Sequence, residues 1–189
     1  VIDAGGGGQN YPEDYDVIQR LHDDGKMTVR IAYNLFAQNA GNELSDYERW
    51  VGMTEPGAGD DMLRMNGAGE NLAWSAADFE NFLEPRPDPA PVMESELEPI
   101  VELLAEREWP FRIHATYDET IDRFLGVFER VSNRSRLALS LIMPKPFPNG
   151  TSNGSRHWVV VLRYSIAWHS RANISSTVTA RKPPWRPHR

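Results

Sequence analysis

The sequence predicts an α/β protein with a parallel sheet, followed by an irregular basic tail. Two observations lead to this prediction: four short β-rich stretches each precede a helical pattern, and the composition changes abruptly near residue 131. Strand-then-helix units in succession are typical of a doubly wound sheet or of a (β/α)₈ barrel. A complete barrel takes about 250 residues, so these units would supply about half of one.

The first unit joins a short strand at residues 1–4 to a helix that begins near Pro12 and ends at Gly25. Proline suits the first turn of a helix, and glycine suits the position just past its end. The helix carries one apolar stripe, formed by Val17, Ile18 and Leu21. Because the chain opens within a strand, we expect further sequence upstream.

The second unit starts with Met27–Phe36, which is the clearest strand in this part of the chain. Ser45 is a favourable N-cap for the short helix that follows, through Trp50 and Val51. The third unit begins with a short strand at Met62–Met65. Residues 66–92 hold many glycines and prolines and are predicted to form a long functional loop.

The third helix is predicted from the spacing of Leu97, Ile100, Val101 and Leu104, and Pro99 suggests that its regular part begins there. A strand at residues 111–115 opens the fourth unit. Thr116 and Glu119 then form a capping-box pattern at the start of the fourth helix. The apolar face of that helix consists of Ile121, Phe124, Leu125, Phe128 and Val131.

The charges separate at a boundary near Val131. Residues 1–131 carry 27 acidic and 10 basic side chains, whereas residues 132–189 carry 10 basic side chains and no acidic one. The absence of cysteine excludes a disulfide scaffold and a cysteine nucleophile. No apolar run approaches the roughly 20 residues that span a bilayer, and no signal peptide opens the chain. We therefore expect a cytoplasmic protein that has no membrane partner.

His114 is the foremost candidate for chemistry, because it stands near the carboxyl end of its predicted strand, where α/β proteins place their sites. Histidine is also the commonest metal ligand. For a lone histidine, however, a structural role at the strand end is the more frequent one. Asp118 follows one helical turn later and could orient a ligand, although acidic residues in a first turn are ordinary partners of the helix dipole.

The remaining candidates are weaker. Gly5–Gly8 and Gly67–Glu70 could approach a phosphate closely, but neither matches a dinucleotide or P-loop pattern. His22 lies beside two aspartates on a helix and is expected to be solvated. Four aromatic residues could line a pocket, although such residues are more often core or rim: Tyr11, Tyr15, Trp50 and Trp74.

Three segments together resemble the middle of a protein of the amidohydrolase 3 family, within the metal-dependent hydrolase superfamily of urease and dihydroorotase. They are residues 1–7 (VIDAGGG), residues 28–35 (TVRIAYNL) and, above all, residues 109–115 (WPFRIHA). The resemblance covers most of residues 1–131. It implies a (β/α)₈ barrel that binds one or two divalent ions, usually zinc, and hydrolyses a small molecule with an amide or similar C–N bond. A bound metal would lower the pKa of water to near 7 and polarise the carbonyl group.

The resemblance carries one metal ligand over to this chain. In the family, the ligand histidine that ends the fifth strand is followed by alanine and, after two more residues, by aspartate. His114–Asp118 (HATYD) matches this spacing, which favours His114 as a metal ligand with Asp118 beside the site.

The other family ligands have no equivalent in the chain. The His-x-His of the first strand would precede Val1, and the catalytic aspartate of the eighth strand would lie beyond Arg189. The lysine or acid of the fourth strand should fall near residues 64–66, where none is evident. The sixth-strand histidine should follow soon after Val131. We therefore expect an incomplete site that binds no metal stably and has no activity.

The acid-free tail is compatible with translation in a shifted reading frame. Back-translation of residues 140–156 in a register shifted by one base permits IDHAETISERNIERIK, and residues 156–164 permit ALGGGIAV. The two shifted-frame segments contain acidic residues, helical periodicity and a histidine, and they resemble the family's sequence. We therefore expect one lost base, or two gained, near the codon for Val131, and a disordered tail. Sequencing the coding DNA from codon 120 to codon 145 would show whether a base has been lost or whether the tail is encoded in the correct frame.

The alternative interpretation is a non-enzymatic protein that binds nucleic acid through its tail. Arginine and lysine would contact phosphates while Trp158, Trp168 and Trp185 stack on bases. This interpretation explains neither the family resemblance nor the sharp boundary, so a nucleic-acid partner is not expected. It predicts salt-sensitive binding that is lost when residues 132–189 are deleted.

Overall fold

The computed structural model describes residues 2–4, 11–78, 90–115, 117–135, 138–142 and 158–165. Side chains are described within 11–78, 90–115 and 117–134. The predicted glycine loop at Gly5–Gly8 and the predicted cap residue Thr116 lie outside the described residues.

The described residues confirm the alternation of four strands with four helices. The strands are β1 (Ile2–Ala4), β2 (Ile31–Leu35), β3 (Leu63–Ala68) and β4 (Phe111–Ala115). The helices are α1 (Asp16–Asp23), α2 (Glu43–Trp50), α3 (Met93–Glu106) and α4 (Asp118–Ser135). Short 3₁₀ helices at Pro12–Tyr15 and Trp74–Ala76 precede α1 and follow β3, respectively.

These four strands are parallel neighbours in the order of the chain. Ile31 of β2 is in register with Ile2 of β1 and Leu63 of β3, whereas β4 joins β3 through one pair, Ala68 with Phe111. Because β4 begins where β3 ends, the carboxyl end of β3 lies beside the backbone of β4. This stagger determines which residues meet at the candidate site.

Two further strands occur in the tail that was predicted to be irregular. β5 (Ala138–Ile142) and β6 (Trp158–Ser165) complete the sheet order β1-β2-β3-β4-β6-β5. β6 is antiparallel to both β4 and β5, and Val159 stands opposite His114. The β-branched run at residues 159–161 has high strand propensity and satisfies the backbone groups at the open edge of β4. The helical part of the chain also continues past Val131, since α4 ends at Ser135.

Several predicted boundaries were wrong. β2 begins at Ile31, not Met27, because its ladder starts with the bond from Ile31 N–H to the Met62 carbonyl at 2.8 Å. α2 begins at Glu43, two residues before the predicted N-cap Ser45, whose hydroxyl donates to the Asn42 carbonyl at 2.8 Å. Part of the predicted loop at residues 66–92 is strand, because β3 continues to Ala68.

α3 begins at Met93, so Pro99 lies inside the helix and not at its start. Proline removes one helical hydrogen bond, a cost that the packing of the helix offsets. All four residues of the predicted stripe are buried, which confirms that face: Leu97, Ile100, Val101 and Leu104. On α4 the predicted face is likewise buried at Ile121, Phe124, Phe128 and Val131, with Leu125 partly buried against it.

The core lies between the helices and one face of the sheet. Along β4 the buried residues are Phe111, Ile113 and Ala115, whereas Arg112 and His114 are half-buried. The ring centroids of Phe111 and Phe128 are 5.8 Å apart, so the buried residues of β4 face α4. Successive side chains of a strand point to opposite faces, and His114 therefore lies on the face away from the helices.

α1 contributes less to this core than its apolar stripe predicts. Val17 and Leu21 are 55% and 44% exposed, and α1 has no buried residue. Only Ile18 of the stripe packs against the core. Within the described sheet β1 is an edge strand, so no further strand-helix unit covers the outer side of α1.

Candidate functional site

His114 lies near the carboxyl end of β4, as the sequence predicts. Its backbone N–H donates to the carbonyl oxygen of Glu70 at 2.9 Å. The Nδ1 atom of His114 lies 4.0 Å from Oε2 of Glu70, and the two side chains are 18% and 29% exposed. The imidazole and the carboxylate are therefore neighbours on an accessible part of the sheet edge.

Sequence reasoning missed Glu70 because it placed the end of β3 too early. With β3 predicted at Met62–Met65, the lysine or acid of the family's fourth strand is expected near residues 64–66, which hold neither. The strand runs to Ala68, and Glu70 follows two residues later. The usable signal was the glycine pair around Ala68, which marks a close approach of the backbone to a neighbouring strand.

The glycines of the Gly67–Glu70 motif serve this close approach. Gly67 and Gly69 have φ values of +151° and +105°, a range that favours glycine. A Cβ atom on Gly67 would lie 2.0 Å from the carbonyl oxygen of Pro110, and one on Gly69 would lie 2.0 Å from that of Arg112. The two glycines thus bring β3 against β4 and set Glu70 beside His114.

Asp118 is the first residue of α4 and is exposed. In the described part of the chain, no group of three or more histidine, aspartate or glutamate side chains is arranged to hold a metal ion. Glu70 and His114 supply a carboxylate and an imidazole, both of which are zinc ligands in proteins, but a stable site needs three or four ligands. Glu70 and His114 alone therefore do not make a complete metal site.

The four aromatic residues considered for a pocket do not form one wall. Trp50 is fully buried and contacts Tyr11 edge to face, with ring centroids 5.1 Å apart. Tyr15 is buried and stacks on Tyr33 at 3.9 Å. Trp74 is 40% exposed, while its backbone N–H donates to the buried carboxylate of Glu43 at 2.9 Å. Three of the four therefore belong to the packed interior or its margin.

His22 lies at the surface, with its side chain 25% exposed, and it also pairs with two aspartates. Its Nδ1 atom lies 3.1 Å from Asp23 Oδ1 and its Nε2 atom 3.0 Å from Asp60 Oδ2. Asp60 also accepts the backbone N–H groups of Met62 and Leu63, at 2.7 and 3.2 Å. His22 thus links the end of α1 to the turn before β3.

These contacts give the first testable prediction, a pH dependence of stability. Hydrogen bonds to Asp23 and Asp60 raise the pKa of His22, so its stabilising contribution is complete below about 6.5 and is lost as pH rises through the folded-state pKa. Backbone hydrogen bonds from Met62, followed by the His22 contact, lower the pKa of Asp60 to about 2. The contribution of Asp60 is therefore lost only as the pH falls toward that value.

The measurement is urea unfolding of the parent chain and His22→Gln between pH 5 and 8, with NMR titration of the imidazole. We expect the difference in unfolding free energy between the two chains to shrink as pH rises. A difference that is constant across this range, or an imidazole pKa at or below the ordinary value, would contradict the prediction.

The chain belongs to the amidohydrolase family, because the sequence model of that family matches residues 1–140. The match includes Glu70 and His114 and ends a few residues past the predicted boundary near Val131. No curated protein and no solved structure matches the chain. Among the helices of the described residues, none is long and apolar enough to cross a membrane.

Proposed function

We propose that this chain derives from a metal-dependent hydrolase of C–N bonds other than peptide bonds, with a small amide-type substrate and a cytoplasmic location. Family membership supports hydrolase chemistry. The parallel order of β1 to β4, each followed by a helix, supports a partial (β/α)₈ barrel as the scaffold. The observation that carries the proposal is the meeting of His114 and Glu70 at the carboxyl edge of this sheet.

The two side chains have the chemistry of metal ligands. When bound, a divalent ion such as zinc would supply an activated water molecule and polarise a carbonyl group. The His114 imidazole and the Glu70 carboxylate would hold that ion, and their face of β4 is the one away from the packed core. Asp118 is proposed as a residue adjacent to the site and not as a ligand.

We further propose that the chain of residues 1–189 has no hydrolase activity. Two ligands hold a divalent ion too weakly for stoichiometric occupancy at ordinary zinc concentrations. The tail is proposed to be out of frame, so the family's sixth-strand histidine is missing from it. The antiparallel β6 takes the edge of β4, where the next parallel strand of a barrel would pair.

The second prediction tests this proposal with purified chain. We expect substoichiometric zinc after dialysis and no hydrolysis of N-acetyl amino acids or hydantoin-type amides. Weak zinc binding, measured by isothermal titration, should be reduced in His114→Ala and in Glu70→Gln. His22→Ala is the matched control, because it removes another histidine that contacts carboxylates at a different place. One tightly bound zinc per chain together with amide hydrolysis would show that the site is complete. Weak binding unaffected by either site variant would show that the pair is not a ligand pair.

A further inference from the structure

The segment from Glu70 to Asp78 is attached at both ends to one short stretch of β4 and α4. At its start, the Glu70 carbonyl accepts the N–H of His114 at 2.9 Å. At its end, the Asp78 carboxyl oxygen Oδ2 accepts the N–H of Tyr117 at 3.1 Å. Only two residues separate the two donors, so the segment forms a closed loop against the strand that carries His114.

Asp78 is 2% exposed, and burial of a carboxyl group is costly unless hydrogen bonds compensate for it. Its partner explains why an acid occupies this position. The Tyr117 carbonyl accepts the first helical hydrogen bond of α4, from Ile121 at 3.0 Å, so Tyr117 is the N-cap residue. A capping-box acid ordinarily accepts the N–H of that residue from inside the helix, and Asp78 performs this task from a distant loop. The positive end of the α4 dipole favours a carboxyl group there.

Between its ends, the segment is held by α2. The Tyr47 hydroxyl donates to the Asn71 carbonyl at 3.3 Å, and Glu43 accepts the N–H of Trp74 at 2.9 Å. Tyr47 and Glu43 are both buried. The segment therefore has fixed points along its length, and the Asp78–Tyr117 bond joins its far end to the residue just before α4.

We propose that Asp78 is a positioning residue that fixes Glu70 relative to His114. It acts by tying the far end of the Glu70 segment to Tyr117, the residue just before α4. The inference rests on the proposed function, in which Glu70 and His114 would hold the metal ion. Its geometry, however, can be tested without any metal or substrate.

The third prediction uses the absence of native cysteine. The double variant Glu70→Cys/His114→Cys places two thiols at positions whose backbones are hydrogen-bonded and whose native side chains lie 4.0 Å apart. The effective concentration of the two thiols, measured in glutathione redox buffers, reports how well the two positions are held together. In this background, Asp78→Ala should lower the effective concentration about tenfold or more.

Three companion variants make the result specific. Asp78→Asn keeps an oxygen that can accept the Tyr117 N–H and should remain within about threefold of the parent value. Asp118→Ala removes an exposed acid at the same helix end and should leave that value unchanged. Asp78→Glu, which moves the carboxyl group by one methylene, should lower the effective concentration about threefold or more. This variant tests the proposal if Asp78→Ala does not fold.

An effective concentration that is unaffected by Asp78→Ala or, where that variant does not fold, by Asp78→Glu would overturn the positioning role. So would an equal loss in Asp118→Ala. Zinc binding and hydrolysis do not enter this assay. A negative metal result with a positive disulfide result would reject the ligand pair while keeping Asp78 as a positioning residue.

Discussion

Replacement of Gly69 by alanine is expected to destabilise the chain by about 2–6 kcal/mol. A φ of +105° is strained for alanine, at about 1–3 kcal/mol, and overpacking adds about 1–3 kcal/mol. The new Cβ atom would lie 2.0 Å from the Arg112 carbonyl oxygen and 3.0 Å from the Arg112 Cγ atom. The obstacle is mainly backbone inside β4, so a side-chain rotation cannot relieve the overlap.

Two other glycines provide controls for this prediction. Gly126 lies on α4, where the one described atom that a Cβ atom would meet is Arg130 Nη1 at 3.6 Å, so Gly126→Ala should stabilise the helix by about 0.5–1 kcal/mol. Gly25 has φ +67°, and no atom of the described residues lies within 4 Å of its Cβ position, so Gly25→Ala should cost about 1–2 kcal/mol from backbone strain alone. Urea unfolding followed by circular dichroism ranks the three variants. If Gly69→Ala were as stable as Gly25→Ala, Gly69 could not lie as close to the backbone of β4 as described.

The same substitution should also separate the candidate ligand pair. Glu70 follows Gly69 directly, and its carbonyl accepts the N–H of His114 only while the two strands are in close contact. Any outward movement of β3 that relieves the overlap at Arg112 moves Glu70 away from His114. We therefore expect Gly69→Ala to affect both the stability of this edge and the geometry of the site.

Local features of the chain could be predicted from sequence because each is determined by a few consecutive residues. The strand at Phe111–Ala115 matches its prediction, and the stripe from Leu97 to Leu104 is buried as its spacing indicates. Apolar periodicity reports which face of an element is buried, irrespective of its neighbours. The position of His114 near a strand end followed from the same reasoning.

Features that depend on register between distant segments could not be predicted. Glu70 meets His114 only because β3 extends to Ala68 and β4 starts beside that end. Asp78 caps α4 across a separation of 39 residues, which no local capping pattern encodes. Likewise, His22 is paired because the turn holding Asp60 approaches the end of α1. In each case, a single sequence shows the groups but not their mutual distance.

Replacement of Trp50 by alanine is expected to cost about 3–5 kcal/mol, a large part of the 5–15 kcal/mol that stabilises a typical domain. Trp50 is completely buried at the end of α2. Its ring contacts Tyr11 and Tyr47 edge to face, with centroids 5.1 and 5.2 Å apart. Alanine would leave a cavity between the two tyrosines and remove both aromatic contacts.

Trp50→Phe separates the packing of the ring from the polarity of the indole group. Among the described residues, the buried Nε1 atom of Trp50 has no hydrogen-bond partner, an arrangement that costs about 1–3 kcal/mol. Phenylalanine loses some buried area but removes that unsatisfied donor, so the net cost should be at most about 1 kcal/mol. Urea unfolding of both variants tests this difference. Equal losses in the two variants would mean that the indole N–H finds a partner, whereas a negligible loss in Trp50→Ala would mean that this ring does not pack in the core as described.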